Sequence, residues 1–364
     1  MKTYLKSSMI EFLYIIICSA MLFPTSGFAN EDTATNNMGF SYAIRKPENQ
    51  HSNVGYFDLR MNPDQKQTVE LEIFNDGEKE VTVELSLNSA KTNSNGVIEY
   101  GPSKIKKDAS LKHDIKDIVN IPKEVTVAAK SSSIVPLEIM MPSEKYDGYI
   151  AGGIQMIRKE TEEEKKANEK ATGVMNKYAF SIGMLLSEND TVVQPELSFN
   201  KVAAGLSNYR NAFVVNFSNT QSVYVNDMSV DVQISKAKSD EVLYETKKEK
   251  YRMAPNSMID FPINLNGERF EVGDYKAHIL VKSGENKWEW NEEFEVTSDE
   301  ADKYNGQDVS LLQERGINWK LVSMIAGGAI VVFAILFVLV RTISTNRKKN
   351  KMKNKKRKKK NMSK

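Results

Sequence analysis

Two tyrosines and two asparagines carry the chemistry most worth following in this sequence. Tyr56 and Tyr100, with Asn93 and Asn95, combine flat rings and carboxamides, groups that stack on sugar faces and hydrogen-bond sugar hydroxyls. The same residues have a structural reading, because Asn93-Ser94-Asn95-Gly96 is turn chemistry and tyrosine commonly packs inside a β core. Trp288 and Trp290 stand two apart, on one face of a strand, where paired indoles serve either as core or as an adhesive patch. Catalytic patterns are poor. Ser103-x-x-Lys106 and Ser235-x-x-Lys238 match the serine–lysine string of penicillin-binding enzymes, but no Lys-Thr-Gly or Ser-Asp-Asn accompanies them. His51, His113 and His278 lack ligand spacing, and the one cysteine, Cys18, lies in the N-terminal leader, so neither a metal nor a cofactor is expected. The sequence reads as a non-enzyme.

The ends of the chain set the expected topology. Lys2 and Lys6 precede a short apolar run, Phe12 to Leu22, followed by the small-x-small string Gly27-Phe28-Ala29, which marks residues 1–29 as a signal peptide. Trp319 to Val340 is uncharged except for Lys320, and reads as a single membrane-spanning helix. From Arg341 to Lys364 there are thirteen Lys or Arg and no acid, a cytoplasmic tail by the positive-inside rule. Those thirteen belong to a total of 50 basic residues, which leaves 37 against 48 acids in the rest of the chain. An acidic exported part argues against nucleic-acid binding, because it repels the phosphate backbone. An exported part without cysteine favours a bacterium with one membrane over an oxidising secretory route.

Period-two alternation dominates what lies between. Val69, Leu71 and Ile73 alternate with polar residues, Asn75-Asp76-Gly77 supplies a turn, and Val81, Val83, Leu85 and Leu87 alternate again. The pattern returns after Pro195, from Phe213-Val215-Phe217 to Trp288–Val296. The fold class expected is all-β: two tandem immunoglobulin-like β-sandwiches followed by a single transmembrane helix. Expected boundaries are a first domain at 30–187, a linker at 188–194, a second domain at 195–298, a stalk at 299–318, the membrane helix at 319–340 and the tail at 341–364. A weak repeat supports two copies of one fold, since Ala128 to Ile139 resembles Met253 to Leu265. The charged run Lys159 to Lys177 reads as a hairpin loop with a helical turn, its acids and bases being four apart.

Phe40-Ser41-Tyr42, Pro47 to Gln50, Gly55 to Leu59, Asn75, and Ala90 to Tyr100 together resemble the WxL-interacting proteins of Gram-positive cell surfaces. Ala254 to Ser257, Gly273-Asp274-Tyr275 and Trp288-Glu289-Trp290 resemble that family's second domain. The resemblance implies a first domain that binds peptidoglycan, a second that binds host matrix proteins, and an association with surface proteins carrying a WxL domain. This chain's own Trp-x-Leu string, Trp319-Lys320-Leu321, sits at the start of the apolar stretch and reads as a membrane-interface anchor. The expected function is thus a non-catalytic, membrane-anchored scaffold or adhesin component with its ectodomain in the cell wall. The alternative is a tethered assembly chaperone acting by strand addition. The sheet edges discriminate: a long uncharged edge suits a chaperone, an edge blocked by Lys and Pro a scaffold.

Overall fold

Alternation of the kind seen at Val69-Leu71-Ile73 buries every second side chain, and such strands must pair in two facing layers to cover their apolar faces. The computed structural model describes residues 38–170, 177–313, 322–338 and 341, and resolves them into two all-β units. One comprises Met1–Ser89, Tyr100–Ser103 and His113–Asp190; the other comprises Ala90–Glu99, Lys104–Lys112 and the chain from Thr191.

The first unit opens with β1 (Ser41–Arg45), β2 (Phe57–Arg60), β3 (Lys66–Asn75) and β4 (Val81–Ser89). The short β5 (Lys91–Thr92) and β6 (Ile98–Glu99) that come next form a hairpin belonging to the second unit. The first unit then resumes with β7 (Val119–Asn120), β8 (Glu124–Val127), β9 (Ser131–Met140), β10 (Ile150–Arg158) and β11 (Phe180–Ser187). Its sheets run β1-β3-β9-β7 and β2-β11-β10-β4-β8. All pairings are antiparallel except β2 with β11. Between the layers, Leu71, Ile73, Leu137, Ile154, Met184 and Leu186 are fully buried. Between β10 and β11 the charged run forms the helix Glu162–Lys170, where Arg158 pairs with Glu164 at 2.7 Å.

The second unit contains β12 (Leu197–Ser207), β13 (Arg210–Asn219), β14 (Val225–Lys236), β15 (Val242–Met253), β16 (Ser257–Asn264), β17 (Gly273–Ser283) and β18 (Asn286–Val296). Its sheets run β12-β13-β16 and β15-β14-β17-β18. Phe213, Val215, Phe217, Ile259, Phe261, Val232 and Ile279 fill the space between them. Residues 299–318, a spacer by sequence, contribute the end of the helix Ser298–Gln307 and the short helix Val309–Gln313. Their Ala301, Asn305, Asp308 and Leu311 are buried.

The sequence repeat is a shared hydrogen-bonding device. Asn75 ends β3 opposite Ser131, and Asn219 ends β13 opposite Ser257. Both asparagines are fully buried. Asn75 Nδ2 donates to the carbonyls of Lys79, Val127 and Ala128, and Asn219 Nδ2 to those of Val223 and Ala254. Each serine donates to the carbonyl three residues earlier at 2.8 Å. These contacts satisfy backbone groups that the strand ladder cannot reach.

The expected single transmembrane helix is corrected. Among the described residues no helix is long and apolar enough to cross a membrane. Residues 319–321 and 339–340 of the expected span, the expected signal peptide at 1–29 and the expected cytoplasmic tail beyond 341 lie outside the described residues.

Candidate functional site

The outer face of the five-stranded sheet in the first unit carries Tyr56 and Tyr100. Gly153 of β10 and Gly183 of β11 are register partners, and together they leave a floor without side chains. A Cβ on Gly153 would lie 2.7 Å from Tyr100 Cβ and 2.9 Å from the Ile182 carbonyl oxygen, so only glycine admits the Tyr100 segment this close. A Cβ on Gly183 would meet the Tyr56 ring at 3.6 Å, an ordinary contact. Two half-buried tyrosines therefore overlie one glycine pair. Asn88 of β4 is the register partner of Gly153 on the other side, and Ser86 that of Gln155, which adds amides and a hydroxyl to the same face.

The loop before β2 is held by its own polar groups. Gln50 Nε2 donates to the Ser52 and Tyr56 carbonyls at 3.1 and 2.9 Å, and the Ser52 hydroxyl donates to Asp58 Oδ2. Asp58 Oδ1 is buried and has no partner among the described residues. At the end of β2, Arg60 pairs with Asp190, and this hydrogen bond is the leading cause of the Asp190 carboxyl lying below its usual range. Glu188 is shifted the other way, upward, chiefly by burial. Away from the tyrosines, the first unit has a cleft of about 570 Å³ lined by Lys66, Lys116, Asp117, Asn120, Glu138 and Met140. Its charges are mixed.

Asn93 and Asn95 are not part of the tyrosine face, for they lie on the β5–β6 hairpin of the second unit. Asn93 is spent on the turn: its Oδ1 accepts the amides of Asn95 and Val97 at 3.0 and 3.1 Å, and its Nδ2 donates to Glu99 at 2.8 Å. Asn95 is exposed. Trp288, 9% exposed, and Trp290 face the core of the second unit, where Trp290 packs against Phe217 and Phe199 at 5.9 and 6.2 Å between ring centroids. The sequence signal for the missed residues was present: glycine within a strand marks close approach, and Gly152-Gly153 and Gly183 interrupt apolar strands. No cluster of three or more His, Cys, Asp or Glu suited to a metal occurs among the described residues.

Two β-sandwich units, one bearing an aromatic face floored by glycine, define an all-β protein of immunoglobulin-like architecture. The chain belongs to the WxL-interacting protein family: the peptidoglycan binding domain of WxL Interacting Protein matches residues 40–158, and its host binding domain residues 169–306. These are binding domains, and the chain is a surface binding protein. Among curated proteins none matches. Among solved structures, the E. coli chaperone DraB is similar at 13% identity, covering 71% of this chain and 97% of that one, with a TM-score of 0.27. The CupB2 chaperone of Pseudomonas aeruginosa is similar at 10% identity, covering 63% and 94%, with a TM-score of 0.25. A PapD-like domain of human CEP192 is similar at 12%, covering 43% and 88%, also with a TM-score of 0.25. Similarity that low fixes neither ancestry nor activity.

Proposed function

We propose that this protein is a non-catalytic cell-surface scaffold whose first unit binds peptidoglycan, whose second engages host matrix proteins, and which associates with surface proteins carrying a WxL domain. The observation that carries the reading is the pair of tyrosines over Gly153 and Gly183. A flat, water-accessible ring backed by bare strand is suited to the apolar face of a pyranose, while the neighbouring amides and hydroxyls are suited to its polar rim. The family matches give the same direction independently.

The sheet edges favour a scaffold over a strand-adding chaperone. Edge strand β15 carries Lys247, Lys248 and Lys250; edge strand β16 has Pro262 at its middle; β12 is bulged between Phe199 and Lys201; β2 is four residues long. Each of these features obstructs pairing with a further strand.

The test is co-sedimentation of the intact chain with purified sacculi. Binding without release of soluble muropeptides is expected. Replacing Tyr56 and Tyr100 together by Ala should weaken binding about tenfold or more, the loss of about 1.4 kcal/mol. Undiminished binding would refute the tyrosine face, and fragment release that depends on one carboxylate would make the protein an enzyme.

A further inference from the structure

In the second unit, β12 and β13 are joined by a turn of two residues. Ser207 and Arg210 are register partners, which leaves Asn208 and Tyr209 as the turn itself. Their φ values are 49° and 61°, both left-handed, the geometry of a type I′ hairpin. Asn suits the first position. The second strongly favours glycine, and a tyrosine there is a genuine outlier. Among the described residues eight non-glycine positions have positive φ; five are Asn or Asp, two are Lys, and Tyr209 is the one aromatic. The short side chains of Asn and Asp tolerate this conformation, whereas a bulky ring does not.

The ring gains no packing in return. Tyr209 is 74% exposed, and its hydroxyl makes no hydrogen bond among the described residues. Arg210 beside it is also exposed and without an ion pair among those residues. Val309, 42% exposed, donates its amide to the Tyr209 carbonyl at 3.0 Å and extends the apolar surface.

Beneath the tip lies a buried polar network. Asn211 is 1% exposed; its amide donates to Asp308 Oδ2 at 2.7 Å, and its Nδ2 donates to Asn305 Oδ1 at 2.8 Å and to the Glu268 carbonyl at 3.1 Å. Asn305 in turn exchanges hydrogen bonds with the Phe270 backbone at 2.7 and 3.0 Å. The amide and Nδ2 of Asn211 thus make three hydrogen bonds, while its buried Oδ1 has no partner among the described residues; together with the Val309 bond they anchor the base of the tip in one geometry before any partner arrives. Rigid, exposed Tyr and Arg have the composition of binding hot spots, and pre-organisation removes part of the ordering cost of association.

We propose that the Tyr209–Arg210 tip is an interaction site of the second unit. Its partner is a protein surface offering an apolar pocket for the phenol ring, rimmed by carboxylates that receive the guanidinium. The proposal rests on the host-binding reading of this unit and names the residues that would carry it.

The test compares the intact chain with Tyr209→Gly and Arg210→Gln, using immobilised fibronectin, fibrinogen and collagen as probes and recording melting temperature alongside. Tyr209→Gly should raise the melting temperature, because glycine fits the turn, while weakening binding at least tenfold. Arg210→Gln should leave melting unchanged and weaken binding less at high salt than at low. If the parent chain binds a probe and Tyr209→Gly binds it equally well, the site is refuted and host binding stands. A melting temperature that falls with Tyr209→Gly would mean the ring supports the fold, which also refutes the site. A parent chain that binds none of the probes removes the host-binding reading and this proposal with it.

Discussion

Thr92 Oγ1 and Ser257 Oγ lie 2.7 Å apart inside the second unit, although 165 residues separate them in sequence, and both side chains are buried. Thr92 also accepts the amide of Ala254 at 3.0 Å, a donor with no exposure to water. Thr92→Val keeps the shape and removes the acceptor, leaving a buried N–H unpaired at a cost of about 1–3 kcal/mol. Urea unfolding should report that loss. A change below roughly 0.5 kcal/mol, the range of ordinary surface substitutions, would show that the amide finds another partner.

Gly96 shares the same hairpin and has less room. Its φ is +67°, and a Cβ there would lie 2.1 Å from Cγ of Tyr251. Gly96→Ala therefore combines a left-handed penalty of about 1–2 kcal/mol with overpacking of about 1–3 kcal/mol. Adding Tyr251→Ala relieves only the steric part, so the double variant should cost less than the sum of the single ones. Strict additivity would argue against the clash.

Gly153 and Gly183 should respond differently to the same methyl group. Gly153→Ala pushes against Tyr100 and the Ile182 carbonyl, and should cost about 1–3 kcal/mol by overpacking while weakening binding to sacculi. Gly183→Ala meets Tyr56 at ordinary contact distance and should be tolerated. Equal effects on melting temperature would contradict this asymmetry.

Asp308 links stability to pH. Burial pushes its carboxyl up, but hydrogen bonds from the Ser310 hydroxyl and from the amides of Asn211, Leu311 and Ser310 outweigh that and hold it below the ordinary range. A carboxyl whose folded pKa lies below the unfolded value of about 3.9 contributes stability above that value. The contribution is lost as pH falls through about 3.9 toward the folded pKa. Asp308→Asn should thus be less stable at neutral pH and show a flatter loss of stability in acid. Parallel acid profiles for the two proteins would mean that the carboxylate is not responsible.

Trp288 tests the core of the second unit. Its replacement by Ala should destabilise the protein by about 3–5 kcal/mol, the usual cost of truncating a buried large aromatic. Retention of the parent melting temperature would place the indole outside the core.

Strand alternation was legible in the sequence because burial on one face of a pleated strand imposes period two, and Val69-Leu71-Ile73 and Phe213-Val215-Phe217 display it directly. Only half of the repeat was legible: Ala128 to Ile139 and Met253 to Leu265 contain Ser131 and Ser257, whereas their partners Asn75 and Asn219 lie on distant strands and emerge only from the pairing. The tyrosine face was half legible. Tyr56 and Tyr100 stood out by type, but their setting depends on the pairing of Gly153 with Gly183, a register that no local pattern specifies.

Local chemistry determined the all-β class, the turns and the family, because each depends on residues close in sequence or on their order. Tertiary structure alone decided that Asn93 and Asn95 serve the second unit, that the Trp288 and Trp290 side chains face its core, and that Ala301, Asn305, Asp308 and Leu311 are buried in it. It also decided that Tyr209 stands on a rigid tip, since the network beneath it joins Asn211 to Asn305 and Asp308 across 94 and 97 residues. Hydrogen bonds between residues so distant follow from how sheets pair and pack, and that pairing is fixed by the whole buried core at once.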